Sequence, residues 1–362
     1  MDRVVLTTGG TGGHIFPALA VAGELRRRHP GCRVLFVGGR GPEKRLATEA
    51  GLEFEGLHVS GVLGRGWRGA LSLLGMGVSV LRSGGLLSRF RPQVVAGFGG
   101  FAGFCPVLAA RLLRIPALIH EQNSVPGAAN RFLSRKVDRV LVSFPDTAEF
   151  FPGRNVLAVG NPVRPDIAAA GRARAGRAPG RRLLVLGGSQ GARALNDLVV
   201  AALPRLRDLG VEIFHQAGAA DEARVREAYR AAGFDDSGVH GFVTDMAGAY
   251  ADADLALCRA GASTVFELAA AGLPALLVPF PHATHDHQTR NARALETAGA
   301  ARCLPQAELT AEGLGEQVAA RLADPAGLAA MSRAALGFAR PSAAADIVDQ
   351  LESLARPRAE EN

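Results

Sequence analysis

Short runs of Val, Leu, Ile and Ala, each followed by a longer stretch whose apolar residues recur at helical spacing, fill this chain from one end to the other. Strands of that composition have no polar face to give to water. They belong in parallel sheets covered by helices on both sides, built from βαβ units. The spacing predicts strands at Val4–Thr8, Arg33–Val37, Val94–Ala96, Ala117–Ile119 and Val140–Val142. The pattern breaks at Gly160-Asn161-Pro162, and Gly171–Gly180, rich in Gly, Ala and Arg with no apolar period, reads as a linker. It restarts with Leu183–Leu186 and continues near Val211–His215, Val239–Phe242, Leu255–Cys258 and Ala275–Val278. The expected fold class is α/β, with two Rossmann-like doubly wound parallel-sheet domains at 1–160 and 181–340 and a linker at 161–180. Two such halves imply a cleft, with ligands beyond the carboxyl ends of the strands.

The chain's 362 residues suffice for two cores, and 48% hydrophobic with 21% charged residues excludes extended disorder, the tail Arg356–Asn362 apart. Lys44 and Lys136 are the only lysines, so the net charge of +7 is carried by arginine and favours anionic partners. Cys32, Cys105, Cys258 and Cys303 lie far apart without a CxxC pair, which argues against a zinc ribbon or disulfide framework and fits a reducing compartment. The residues before Val4 do not read as a signal peptide, and no run reaches the roughly 18 apolar residues of a spanning helix, so membrane contact is expected to be peripheral.

Three glycine loops each follow an expected strand and open a helix: Gly9-Gly10-Thr11-Gly12-Gly13-His14, Gly97–Gly103 and Gly187-Gly188-Ser189-Gln190-Gly191-Ala192. Consecutive glycines let backbone N–H groups approach an anionic or polar ligand. The first loop lacks the dinucleotide spacing, no acid closes the second strand, and no lysine completes a Walker loop. The third matches the G-x-S-x-G of serine hydrolases, with Asp254 and His285 following in order, but a hydrolase leaves two glycine loops and a whole domain unused. A non-catalytic nucleotide-sugar-binding module would use the loops alone.

In Arg259–Glu267, small residues open a helix where a phosphate could sit, and Glu267 one turn in could accept hydrogen bonds from a ribose diol; the plainer reading is a Ser/Thr capping box. Asp252-Ala253-Asp254 resembles a metal-binding D-x-D but precedes a strand, at the wrong end of the sheet. His282, His285, Asp286 and His287 read as a polar substrate-contacting loop rather than a zinc site. Between Gly66 and Gly84, Trp67, Leu71, Leu74, Val78 and Leu81 recur at helical spacing between Arg65, Arg68 and Arg82, which suits either an anionic bilayer or the cover of a sheet.

Six motifs in register, over nearly the whole chain, resemble the MurG family of glycosyltransferases. They are the GGTGGH loop with its Phe-Pro, His120-Glu121-Gln122-Asn123, Gly160-Asn161-Pro162-Val163-Arg164, GGSQGAR, the Arg259–Glu267 element and Asp286-His287-Gln288. Phe101 stands where many members carry Tyr, and Phe266 where a small residue is common. The resemblance implies a GT-B fold, with a C-terminal helix in 341–362 returning to the first domain. It implies inverting, metal-independent transfer of N-acetylglucosamine from UDP-N-acetylglucosamine (UDP-GlcNAc) to the 4-hydroxyl of N-acetylmuramic acid in undecaprenyl-linked lipid I. The product would be lipid II, for peptidoglycan synthesis and hence cell shape and division. The expected setting is the cytoplasmic face of the cell membrane, with an anionic lipid surface and cell-wall synthesis proteins as partners, no nucleic acid and no cofactor. Other GT-B UDP-sugar transferases are the nearest rivals.

Carried over by motif, Arg164, Ser189, Ala262, Ser263, Thr264, Val265, Phe266, Glu267 and Gln288 would hold the donor, with Val243 offering backbone to the uracil. Thr11, Gly12, Gly13 and Asn123 would line the site near the transferred sugar. His14 is the best-placed general base, because an imidazole ordinarily titrates near neutrality; the alternative is that it orients its loop.

Overall fold

A computed structural model describes residues 1–10, 12–39, 41–57, 68–174, 180–188 and 191–355. They form two compact units, Met1–Val163 with Arg340–Asn362, and Arg164–Ala339.

Unit 1 runs through β1 (Arg3–Thr7), α1 (Gly12–Arg28), β2 (Arg33–Gly38), α2 (Pro42–Glu49), β3 (Glu53–Gly56), α3 (Arg68–Phe90), β4 (Val94–Gly97), α4 (Gly100–Leu112), β5 (Ala117–Glu121), α5 (Ala128–Leu133), β6 (Arg139–Val142) and β7 (Val156–Ala158). Its seven strands lie in the order β3-β2-β1-β4-β5-β6-β7, and every pairing is parallel. The alternation of side chains along each strand explains why the runs are apolar throughout. Val4 and Leu6 pack with Ile15, Val21 and Leu25 of α1, while Val5 between them joins Cys105, Val107 and Leu87 on the opposite face.

Unit 2 begins with α6 (Pro165–Arg174) and continues through β8 (Arg182–Leu186), α7 (Arg193–Asp208), β9 (Glu212–Gln216), α8 (Glu222–Ala231), β10 (Val239–His240), α9 (Met246–Asp252), β11 (Leu255–Cys258), α10 (Ala262–Ala270), β12 (Ala275–Leu277), α11 (His287–Thr297), β13 (Ala301–Cys303), α12 (Ala311–Leu322) and α13 (Pro325–Phe338). The six strands are again all parallel, in the order β10-β9-β8-β11-β12-β13. The chain then gives unit 1 its last helix, α14 (Ala343–Leu354), whose Ile347, Val348 and Leu351 join the cluster under α1. Arg28 pairs there with Asp349, and His29 Nε2 lies 2.8 Å from Glu352.

The segment 161–180 is not the plain linker its composition suggests, because α6 occupies its middle. Ile167 is fully buried, and a Cβ at Gly171 would come within 2.2 Å of the Ala270 carbonyl oxygen in α10. That glycine marks a close approach of two backbones, not chain freedom. The strand expected at Val239–Phe242 is confined to Val239–His240, and β3, β7 and β13 were not anticipated.

Candidate functional site

In unit 1 the first two glycine loops lie side by side, Gly9 N–H donating to the Gly99 carbonyl at 3.1 Å. His14 stands in the first turn of α1, which Gly12 and Gly13 begin, rather than at the end of a loop. Its half-buried ring fits against Gly99, where φ is +85° and a Cβ would lie 3.1 Å from His14 Nδ1. A side chain at 99 would thus be both strained and in the way of the imidazole. Thr11 lies outside the described residues.

β5 ends in a run of buried polar groups, which can only be satisfied by one another. His14 Nδ1 is 2.8 Å from Gln122 Oε1, Gln122 Nε2 is 3.0 Å from His120 Nδ1, and His120 Nε2 is 2.9 Å from the Gly160 carbonyl oxygen. Burial pushes the His120 imidazole down to about 4, against the opposing pull of the Gly160 carbonyl. Glu121, 2% exposed, is saturated: it accepts from Asn123 N–H at 3.0 Å, Gly127 N–H at 3.2 Å and Asn130 Nδ2 at 2.8 Å. Asn123 is half-buried, its backbone pinned by that carboxylate.

In unit 2, β11 delivers α10 at its carboxyl end. The N-cap is Gly261, with φ −63° and ψ 145° and no side-chain cap, so the expected Ser/Thr capping box does not form. Val265 and Phe266 face inward, the latter's ring tilted against that of Phe338 at 5.4 Å, so any ligand contact from them is through backbone. Glu267 accepts from the Tyr250 hydroxyl at 3.0 Å; burial raises its carboxyl pKa, while the Arg164 guanidinium and that hydrogen bond oppose the rise. Arg164, Tyr250 and Glu267 therefore share one electrostatic environment.

Gln288 Oε1 accepts from Ala260 N–H at 3.2 Å and Phe280 N–H at 3.0 Å, tying the turns after β11 and β12 together. Asn291 Nδ2 donates to the Ala260 carbonyl at 3.1 Å, and Arg259 spans to Val278 and Pro279 carbonyls at 3.0 and 3.2 Å. Ala262, Ser263 and Thr264 form the first turn above this brace. Val243, 8% exposed, lines a cavity of about 620 Å³ with Phe214, His240, Phe242 and Thr244 among its walls. Ser189 lies outside the described residues.

The acids that two competing chemistries would use lie at or before the amino end of β11. Asp254 sits at the amino end of β11, where its Oδ2 accepts from Arg182 N–H at 3.0 Å, and Asp252 is the last residue of α9. The third glycine loop leaves the opposite end of the sheet, about 15 Å away at roughly 3.3 Å per strand residue, so Asp254 cannot serve a nucleophile there. In the histidine loop, His287 Nδ1 bonds the Thr284 carbonyl at 2.8 Å, and His285 and Asp286 hold left-handed φ of 54° and 52°.

The sequence pattern alone points to no role for Gln122, Tyr250 or Asn130. For Gln122 the available signal is polar residues prolonging a strand buried on both faces; Asn130 on α5 and Tyr250 on α9 carry none.

Comparison with known proteins gives the family. The glycosyltransferase family 28 N-terminal domain matches residues 4–142, and the family 28 C-terminal domain matches residues 182–351. A UDP-N-acetylglucosamine--N-acetylmuramyl-(pentapeptide) pyrophosphoryl-undecaprenol N-acetylglucosamine transferase of Nitratidesulfovibrio vulgaris (strain DP4) is 54% identical over 99% of this chain and 100% of its own length. Its counterpart in Solidesulfovibrio magneticus is 52% identical, with the same coverage of 99% and 100%. The crystal structure of Acinetobacter baumannii MurG superposes with a TM-score of 0.78 at 34% identity, over 98% of this chain and 100% of that one. With its two parallel-sheet units, its interlocked glycine loops and likeness along its whole length, the chain belongs to glycosyltransferase family 28 and, within it, to the MurG transferases.

Proposed function

We propose that this chain moves N-acetylglucosamine from UDP-GlcNAc to the 4-hydroxyl of N-acetylmuramic acid in lipid I, giving lipid II for peptidoglycan synthesis. The observation that carries the reading is the start of α10: a helix N-terminus without a side-chain cap, at the carboxyl end of β11, with Arg164 and Glu267 in one environment. Such an N-terminus favours a diphosphate, Arg164 adds charge to it, and Glu267 offers acceptor oxygens to the ribose diol. Val243 would present backbone to the uracil, and Gln288 keeps the two turns in place. Ser189 and Thr11 are assigned through the resemblance alone.

In the transfer, the bond from the acceptor oxygen to the sugar's anomeric carbon forms as the bond to the phosphate oxygen breaks, with inversion. The hydroxyl proton passes to His14, and UDP leaves with the negative charge that Arg164 and the helix N-terminus stabilise without a metal. The chain would act peripherally at the cytoplasmic face of the cell membrane. Supporting this, no helix among the described residues is long and apolar enough to cross a membrane. The packed helices α3, α4 and α5 also expose Val78, Leu81, Leu112, Leu113 and Phe132 beside Arg82, Arg114, Arg131, Arg135 and Lys136. Trp67 and the side chains of Leu71 and Leu74 lie outside the described set.

The test is transfer of radiolabelled sugar from UDP-GlcNAc to lipid I in the presence of EDTA. Labelled lipid II is expected. No transfer would reject the reading; collapse in EDTA with recovery on adding Mg²⁺ or Mn²⁺ would reject its metal-free form.

A further inference from the structure

The hydrogen-bonded line His14–Gln122–His120–Gly160 has a direction, set from its buried end. A carbonyl oxygen only accepts, so His120 Nε2, 2.9 Å from Gly160, carries the hydrogen. The ring is fully buried, and burial keeps it neutral by pushing its pKa down to about 4. His120 Nδ1 is therefore a bare lone pair and needs a donor, which the Gln122 amide supplies from Nε2 at 3.0 Å. Turning the amide over would set its oxygen against that lone pair. With Nε2 committed to His120, Oε1 faces His14 Nδ1 at 2.8 Å, and an amide oxygen cannot donate. In the neutral His14 ring, Nδ1 carries the hydrogen and Nε2 the lone pair.

We propose that Gln122, backed by His120, is a positioning residue for the transfer: it holds His14 as the Nδ1–H tautomer, so that Nε2 is the atom that receives the acceptor's proton. The inference rests on the reading of His14 as the base. A carboxylate in the place of Gln122 would fix the same tautomer and also stabilise the imidazolium; an amide fixes it without adding charge, so the proton, once taken, is readily released. Gln122 is 1% exposed, and Gly99, having no side chain, leaves the His14 Nδ1 edge room to meet it.

The experiment reads the tautomer and the kinetics separately in the full chain. Imidazole ¹⁵N shifts of labelled protein at alkaline pH, with the His14 signals assigned by their loss in His14→Gln, should show Nδ1–H in the unmutated protein. Nε2–H as the main form would overturn the proposal whatever the Gln122 variants do. Gln122→Leu should mix the tautomers and lower kcat by about 10- to 100-fold with the KM for UDP-GlcNAc unchanged, a part of the usual contribution of a general base. Gln122→Glu, which loses the donor to His120 but keeps an acceptor toward His14 Nδ1, should restore the His14 Nδ1–H form and raise kcat above the Leu variant. Mixed tautomers with undiminished kcat would overturn the positioning role. A His14→Gln enzyme that keeps its kcat would overturn it too, by removing the base reading itself, while the ¹⁵N spectrum would still report whether the line is built as described.

Discussion

His120 in unit 1 and His215 in unit 2 are both fully buried, and burial pushes both imidazoles down to about 4. The lines of hydrogen bonds they anchor end differently. His215 lies 3.0 Å from the Tyr229 hydroxyl and 3.1 Å from Asn196 Oδ1; Asn196 in turn donates to the Ala217 carbonyl at 2.9 Å and to Asp221 at 2.7 Å. Asp221 closes the network in a two-pronged pair with Arg224, both contacts at 2.7 Å. Those bonds clamp the start of α7 to the turn after β9, whose Gln216 carbonyl accepts from Gly187 N–H at 3.1 Å in the third glycine loop. The line from His120 ends instead on the half-buried imidazole of His14. One network thus ends on a half-buried imidazole and the other on backbone and an ion pair. Under the proposed function, the first would hold the base in one tautomer and the second would brace the donor side.

The largest expected effect breaks the open end. His14→Ala should lower turnover by about 10²- to 10⁴-fold with donor affinity unchanged, the usual contribution of a general base. Retention of more than about a tenth of turnover at saturating lipid I would end the assignment. Glu121 is no substitute, since Asn123, Gly127 and Asn130 already occupy its oxygens.

Acid should weaken both units through the feature they share. Each buried histidine is neutral when folded, with a pKa of about 4, against an ordinary value of 6.5. The unfolded chain therefore binds the extra proton first, and stability present above pH 6.5 is lost as pH falls toward 4. The loss is about 3 kcal/mol per histidine at 1.36 kcal/mol per pH unit. Glu24 and Asp221, held at about 2 by their arginines, add their losses only at lower pH. Denaturant unfolding at several pH values should show this, and His215→Gln should flatten the slope for unit 2 alone. An unchanged slope in that variant would contradict the buried neutral state.

Glu267→Ala tests the donor side, and should weaken UDP-GlcNAc binding by about 1 to 3 kcal/mol with kcat less affected. Normal affinity by calorimetry would leave Glu267 as a partner of Tyr250 only. The smallest effect concerns surfaces: apart from Leu157 on β7, unit 1 gathers its exposed large apolar side chains on or just after α3 to α5 among cations, whereas Phe242, Phe280 and Leu336 of unit 2 lie on separate segments. Arg82→Ser with Arg135→Ser should weaken flotation with anionic vesicles by about 1 kcal/mol per charge, most visibly at low salt. Salt-insensitive binding, equal in the double variant, would remove charge from the attachment.

By itself the sequence determined the α/β class, the restart of the pattern at Leu183 and the three strand–glycine–helix junctions. Buried parallel strands must be continuously apolar, and close backbone approach requires glycine; both are local demands written in residue type. Full-length likeness to the MurG transferases then agrees with the function those motifs imply. Only the tertiary structure decided the rest. β3, β7 and β13 are short, and at the ends of their sheets they owe their pairing to a neighbour more than to their own residues. The composition of 161–180 conceals α6, because its stability comes from packing Ile167 and Gly171 against helices far along the chain. Asp254 looks like a ligand until its bond to Arg182 shows which end of the sheet it occupies. Gln122 looks like one polar residue among four until His14, 108 residues away in sequence, is placed 2.8 Å from it. A hydrogen bond between distant segments leaves no period or spacing behind, and so the tautomer of the proposed base is a property of the fold alone.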